Sequence, residues 1–568
     1  MRKHTSFLLL AVIASVATSL AALGAVLTAY ESWVGYRNPY ADIVRSAVSV
    51  EVSGEPLAEH LVFVLLDGAS VDVLESLRTP GSEVGRLLSM GAYYPNGVSA
   101  LPSYSMVARA SLLTGTPPEL HEVSSNDYVG ELAVDSLLRV AKERGFKVLC
   151  SGDPIIASLF EGLLDEYADI PLAAGHGALS LRAGLEMLRR HSQNSRVLLW
   201  VNVADPDEVG HLAGGPASEV FNSTVANAAA LTLAFLEDLR KEGLLDKTLV
   251  VVLNDHGFKR GGHHGGPEPE VTRVFTLFVG PRVKPGRYES GFTQYDIAPT
   301  VAMIMGWRIP AASLGKPLLE GFDVDPARAA AYADAARAQG LRLVSSIAER
   351  AGLRLEGYSD PLEAYLALAR VKAGEGALER GLLAALVAAA ALAAAVLALR
   401  KHKPAQLKRD MLVVLTGLAV FEATFRFTYM AERGPWSLSD IHSLEELQMS
   451  ILLPAALGGL MLGVYASLVL EHASLSRVLA RVVAAVLAAT AVGLACTLPT
   501  LVSYGPLVRF PFPDWSMGTS YLVHLLKVAF TGFAALPAAL LAATALALPR
   551  TRRAATQLTP ELEPPAER

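Results

Sequence analysis

Residues 6–30 read SFLLLAVIASVATSLAALGAVLTAY, and five more apolar runs of similar length follow only after residue 380. They are Gly381–Leu399, Met411–Met430, Met449–Leu470, Val482–Val502 and Tyr521–Leu548. A hydrocarbon core of about 30 Å is crossed by roughly 20 helical residues, and inside it the backbone must satisfy its own hydrogen bonds. These six runs therefore predict an α-helical transmembrane bundle, and they account for a hydrophobic content of 52%. The stretch between the first two runs has ordinary globular composition. The expected organisation is an anchor at 1–30, a folded outer domain at 31–324 and a helical membrane-proximal connector at 325–380. A five-span bundle at 381–553 and a tail at 554–568 complete it.

Orientation follows from Lys and Arg. Arg2 and Lys3 precede the first run, and Arg400, Lys401, Lys403, Lys408 and Arg409 lie between the second and third. Arg477 and Arg481 separate the fourth from the fifth, and Arg550, Arg552 and Arg553 follow the sixth. The alternate loops hold one arginine each, Arg433 and Arg509. The positive-inside rule then puts both termini in the cytoplasm and the large domain outside a cell membrane. A cleaved signal peptide is the other reading of the first run, and its long apolar stretch favours a retained anchor. A net charge of −6 without a basic stripe points to no nucleic-acid partner. The partner expected from composition is the lipid bilayer. Cys150 and Cys496, one in the globular part and one in a span, form no disulfide framework.

Within 31–324, short β-branched runs alternate with helical patterns. The runs are HLVFVLLD, FKVLC, RVLLWVNVAD, TLVVVLND and RVFTLFVG. The fold class expected is α/β, a doubly wound parallel sheet, joined to the six-span bundle. Three strands end in aspartate: at Asp67, at Asp205 with Asp207 just beyond, and at Asp255. Ligands in open α/β sheets bind outside the carboxyl ends of the strands, so these carboxylates are expected on one edge.

The stretch NDHGFKRGGHHGG, Asn254 to Gly266, adds three of the chain's 13 histidines. The candidate metal ligands are Asp67, Asp207, His211, Asp255, His256 and His264. Asp207 and His211 share one side of a helical turn, and mixed Asp/His sets suit zinc, with manganese the alternative. Each motif alone also reads as a turn cap or a solvated loop; their combination does not. Ser105, in LPSYSMVARASLLTG, is expected at a helix N-terminus, where free N–H groups favour an anion. A hydroxyl bound to a metal ion needs no neighbouring base to become a nucleophile.

With these residues in place the chain resembles the alkaline phosphatase superfamily over about Leu61–Leu318. The motifs are LLDG, SMVARASLLTG with Ser105 ten residues before Gly115, DPDEVGH, NDHG and HHGG. The resemblance implies two divalent ions, one held by Asp67, Ser105, Asp255 and His256, the other by Asp207, His211 and His264. Sulfatases share LLTG and the position of Arg109, but Val107 stands where their formylglycine signature needs Pro or Ala. They also use paired aspartates at the first motif and Asp-Asn at the fourth. Asn126 occupies the place of a phosphate-holding asparagine of nucleotide pyrophosphatase/phosphodiesterases. The nine-residue step from Asp255 to His264 and QYDIAPTVAMIMGWRIPAASLG are most similar to GPI ethanolamine phosphate transferases.

The activity implied is that of a phosphodiesterase or phosphotransferase with Ser105 as nucleophile and Asn126 and Arg109 binding substrate. The substrate expected is a phosphate ester, lipid or lipid-linked. A sulfatase-like hydrolase and a non-catalytic protein with a degenerate enzyme domain are the alternatives. His121 and His176 read as structural residues. Glu422 and Arg426, four apart in the third span, read as an ion pair, with a headgroup-binding or substrate-gating role as the alternative. In the loop YGPLVRFPFPDW, Tyr504, Phe510, Phe512 and Trp515 suit a membrane interface and Arg509 suits a lipid phosphate; the alternative is that these aromatics only anchor the bundle.

Overall fold

The computed structural model describes residues 2–52, 54–399 and 404–557. At its centre is a nine-stranded sheet: β1 (His60–Leu66), β2 (Ala92–Val98), β3 (Lys147–Ser151), β4 (Glu166–Ala168) and β5 (Val197–Val203). The remaining strands are β6 (Thr248–Leu253), β7 (Arg273–Val279), β8 (Gly286–Arg287) and β9 (Phe292–Thr293). The order is β4-β3-β5-β1-β6-β7-β2-β8, with β9 on β2. β1, β5 and β6 are buried along their whole length, the pattern of a sheet covered on both faces.

All five strands expected from the sequence form, but the sheet is mixed rather than parallel. β4, β3, β5, β1 and β6 run parallel, while β7 is antiparallel to β6 and β2. A parallel return needs a crossover, usually a helix. The connection from β6 to β7 is taken up by the histidine loop and one short helix, Pro269–Thr272, so the chain simply turns back. β2 is AYYPNGV, whose Pro95, Asn96 and Gly97 read as a turn; the strand absorbs them in a register shift between Tyr94 and Gly97.

Six described helices are long and apolar enough to cross a membrane, by length and composition. Five coincide with expected runs: Leu8–Val34, Lys408–Arg433, Leu444–Val469, Leu475–Ser503 and Trp515–Pro549. The sixth, Glu219–Lys241, belongs to the sheet domain: Phe221, Val225, Leu236 and Leu239 are buried in the core on one face of the sheet. The expected second span lies in the helix Ala377–Leu399, which exposes Leu382, Leu383, Leu386 and Val387. The chain is a multi-pass membrane protein. Its first helix is part of the bundle rather than a separate anchor, with Ser19 Oγ donating to the Val528 carbonyl at 3.1 Å.

Glu422 pairs with Arg426 at 3.9 Å, as read from the sequence, and takes a closer second partner from the last span, Lys527 Nζ, at 2.7 and 2.5 Å. In the aromatic loop, Phe510, Phe512 and Trp515 pack on protein rings. Phe512 packs edge-on to Tyr36 and against Trp515, Trp515 packs on Trp33, and Phe510 packs on Tyr40 and Tyr365. Burying these rings between bundle and sheet domain removes more apolar area from water than an interfacial position would. Arg509 stays exposed. The connector helices Pro326–Arg350 and Pro361–Gly374 pack on the sheet domain through Leu343, Ile347, Tyr365 and Leu368.

Candidate metal centre

The central position of β1 explains why the acidic residues meet. β1 pairs with β5 on one side (Leu66 with Val203) and β6 on the other (Leu65 with Leu253). Asp67, the helix Asp205–Ala213 and Asp255 therefore leave neighbouring strand ends. Gly68, at φ +67°, lets the turn after β1 pass close to Asp207: a Cβ there would lie 3.1 Å from the Asp207 Cα.

Two groups of ligand-type atoms converge, Asp67/Asp255/His256 and Asp207/His256/His264. His256 Nε2 lies 3.8 Å from Asp67 Oδ1, 3.8 Å from Asp207 Oδ1 and 3.6 Å from Asp255 Oδ2. Ser105 Oγ is 3.1 Å from the same nitrogen. His211 and His264 face each other through Nε2 at 3.2 Å, and both nitrogens are 3.6 Å from Asp207 Oδ1. All seven sequence-predicted ligands thus surround one small volume, with His256 between the two groups.

The surroundings aim these atoms. Nδ1 of His211, His256 and His264 lies 2.9–3.2 Å from the backbone carbonyls of Gly262, Gly257 and Ser103 respectively. A carbonyl only accepts, so each Nδ1 carries the proton and each Nε2 presents a lone pair inward. Burial holds the His256 imidazolium down to about 4 and lowers His264 and His211 as well, so the rings are neutral at neutral pH. Burial, reinforced by Asp67 and Asp255, raises Asp207 well above the usual carboxylate range, and burial also raises Asp67.

Asp67 Oδ1 and Asp207 Oδ1 are buried without a hydrogen-bond partner. Buried oxygens of this kind, facing lone pairs, are unfavourable without a cation. Two nitrogens bound tetrahedrally to one zinc ion at about 2.0–2.1 Å lie roughly 3.4 Å apart. The His211–His264 spacing of 3.2 Å is close to that. The donor set fits divalent ions of the zinc type.

Ser105 is the first residue of the helix Ser105–Thr114. The Met106 N–H donates to Asn126 Oδ1 at 3.0 Å, which leaves the exposed Asn126 amide beside the serine. Arg109 is placed differently from the substrate-binding position read from the sequence. Its side chain is fully buried, and Nε, Nη1 and Nη2 donate to Asp153 (2.8 Å), Asp255 (2.7 Å) and Asp67 (2.6 Å). No face of the guanidinium is open to a substrate. Lying one helical turn beyond Ser105, it is turned under the site by the three carboxylates.

His121 and His176 are structural. His121 accepts from the Val123 N–H and bonds Ser111 Oγ, and His176 accepts from the Ala204 N–H. Sequence reasoning missed Asp153, which reads only as a helix cap, and Gln294, whose amide donates to the Asp255 carbonyl at 2.7 Å. It also missed His442. This residue comes from the loop between two bundle helices and packs on His211, with ring centroids 5.1 Å apart; His263 Nδ1 lies 2.6 Å from its Nε2.

Residues 61–161 and 176–265 match the family described as type I phosphodiesterase / nucleotide pyrophosphatase. Among curated relatives, the chain is 24% identical over 279 residues to GPI ethanolamine phosphate transferase 2 of Aspergillus fumigatus, covering 45% of this chain and 36% of the relative. It is 25% identical over 295 residues to the catalytic subunit of human GPI ethanolamine phosphate transferase 2, covering 47% of this chain and 28% of the relative. The chain thus spans about a third of the length of these relatives. Among solved structures, a mutant alkaline phosphatase PafA is 13% identical with a TM-score of 0.40, over 48% of this chain and all of that one. Murine ectonucleotide pyrophosphatase/phosphodiesterase 5 in complex with AMP is 11% identical with a TM-score of 0.38, over 45% and 96%.

Proposed function

We propose that this chain is a membrane-embedded phosphodiesterase or phosphotransferase that acts on phosphate esters, lipid or lipid-linked, outside the cytoplasm. The observation that carries the reading is the pair of unpartnered buried oxygens, Asp67 Oδ1 and Asp207 Oδ1, facing three imidazole lone pairs beside the Ser105 hydroxyl. Asp67, Ser105, Asp255 and His256 would hold one divalent ion and Asp207, His211 and His264 a second; zinc is favoured, manganese next. Bound ions of this kind lower a hydroxyl's pKa and offset charge on phosphoryl oxygens. The match to phosphodiesterases supports the substrate class.

Ser105 Oγ attacks phosphorus, forming the Oγ–P bond as the bond to the leaving oxygen breaks. The serine proton ends on the departing alkoxide or on water. A second displacement, by water or an alcohol, breaks the Oγ–P bond and returns the serine. Asn126 holds a non-bridging oxygen, and the helix N-terminus favours the negative charge. Arg109 positions Asp67 and Asp255.

Chelation should abolish activity of the purified full chain, and zinc or manganese should restore it. Recovery with magnesium or calcium alone would contradict the mixed Asp/His set, because those ions prefer oxygen ligands. His264→Ala should lose about one metal ion per chain by elemental analysis. His263→Ala should keep both, since His263 turns to His442. The functional class is tested by comparing bis(p-nitrophenyl) phosphate, p-nitrophenyl phosphate and p-nitrophenyl sulfate. The diester should be the best substrate; preference for the sulfate would favour the sulfatase-like reading.

A further inference from the structure

The bundle reaches into the site. The loop Gly434–Ser443, between the helices Pro404–Arg433 and Leu444–Val469, lies against the segments that carry Ser105 and His264. Ser439 Oγ accepts from the Gly266 N–H at 2.9 Å and donates to Glu268 Oε2 at 2.8 Å. Gly266 and Gly265 in turn meet Ser103. The Ser103 hydroxyl donates to the Gly266 carbonyl at 3.0 Å, and its N–H donates to the Gly265 carbonyl at 3.0 Å. The Ser103 carbonyl then receives Nδ1–H of His264 at 3.2 Å. A continuous set of hydrogen bonds runs from the loop to the ring of a proposed metal ligand.

A second brace grips the nucleophile's neighbour. Tyr104 is fully buried and its hydroxyl donates to the Ile441 carbonyl at 2.8 Å. Lys259 pairs with Asp440, and Glu268 also bonds Ser437. Ser439 and Asp440 are themselves buried. Four residues of a ten-residue interhelical loop, Ser437, Ser439, Asp440 and Ile441, thus bond the sheet domain, next to a cavity of about 780 Å³ lined by Phe258, Lys259, Arg433 and Trp436.

We infer that the loop Gly434–Ser443 is a positioning element of the active site, through which the membrane bundle sets the placement of Ser105 and His264. The inference rests on the function proposed above. Groups that orient a metal ligand cost about 10–100-fold in metal affinity or activity when removed. The loop acts two hydrogen bonds further out on the His264 side and through Tyr104 on the Ser105 side. It also makes the sheet domain alone an incomplete enzyme, although all seven proposed ligands lie within it.

The test uses the full chain in detergent or nanodiscs. Ser439→Ala deletes one hydroxyl. Gly266→Ala acts from the other side: a Cβ there would lie 2.7 Å from both Ser437 Oγ and Ser439 Oγ and 2.3 Å from Glu268 Oε2, wedging the loop away. Both variants should lower kcat for bis(p-nitrophenyl) phosphate at least tenfold with KM changed less than twofold. Both should also lose metal to a chelator at least tenfold faster, at unchanged helix content. Wild-type kcat and wild-type metal release in Ser439→Ala would overturn the inference, as would a rise in KM at constant kcat. If Gly266→Ala does not fold, Ser439→Ala decides alone. Ser105→Ala is carried alongside: if it stays active the functional reading itself fails, and if it is inactive while the loop variants behave as wild type, only the loop inference fails.

Discussion

Ser105→Ala should reduce turnover of a phosphodiester by three orders of magnitude or more, the scale on which loss of a covalent nucleophile is felt. Its hydroxyl is 3.1 Å from His256 Nε2, at the start of a helix and beside the exposed amide of Asn126. Among the described residues no other serine bonds His256. Ser103 points to the Gly266 carbonyl, on the side of the loop. Metal content should stay close to wild type, because Asp67, Asp255 and His256 remain on that side of the site. A Ser105→Ala protein with wild-type rates, alongside an inactive Ser103→Ala, would move the nucleophile to the other serine.

Arg109→Met should fail by a different route. The substitution leaves Asp67, Asp153 and Asp255 buried around an apolar side chain, with their common partner gone. Removing one member of a buried ion pair costs about 3–5 kcal/mol, and here three carboxylates lose the same cation. The variant should show a large fall in the thermal midpoint of the sheet domain and poor recovery of monodisperse protein, with loss of bound metal as a consequence. Had Arg109 contacted substrate, the variant would fold normally, keep its metal and show a raised KM. Thermal unfolding and elemental analysis on one preparation separate the two outcomes.

What the sequence disclosed and what it hid follow from range. The strands of β1, β5 and β6 were legible because a doubly covered sheet needs uninterrupted β-branched runs, and the carboxylates at their ends were legible because the ends of neighbouring strands share an edge. The membrane helices were legible because the hydrocarbon core imposes a length. Contacts set by distant packing were hidden. Arg109 lies one turn from Ser105 in sequence and reads as a partner for the substrate, yet Asp153, from a different strand end, draws it beneath the site. Phe510, Phe512 and Trp515 have the composition of an interfacial belt, and only the position of Tyr36, Tyr40 and Trp33 shows that they form an internal seam. His442 sits in a loop that reads as a plain interhelical connection. Counting ligands along the chain suggests that a protein ending near Gly376 would keep its activity on a small diester; if the loop positions the site as we infer from the Ser439 and Ile441 contacts, that protein would be impaired.

The bundle acquires a role from the same contacts. The loop from the bundle braces the segments carrying two of the proposed site residues, Ser105 and His264. The seam of aromatic rings beside the first helix, where Trp33 meets both Tyr104 and Trp515, also ties the sheet domain to the membrane helices.

The central claim is that Ser105 takes the phosphoryl group before the final acceptor does. The stereochemical course at phosphorus tests this most directly, with a chiral phosphorothioate diester turned over by the full chain in isotopically labelled water. Two successive in-line displacements, at Ser105 and then at water, predict overall retention of configuration. Overall inversion would mean a single direct attack by water and would contradict the account.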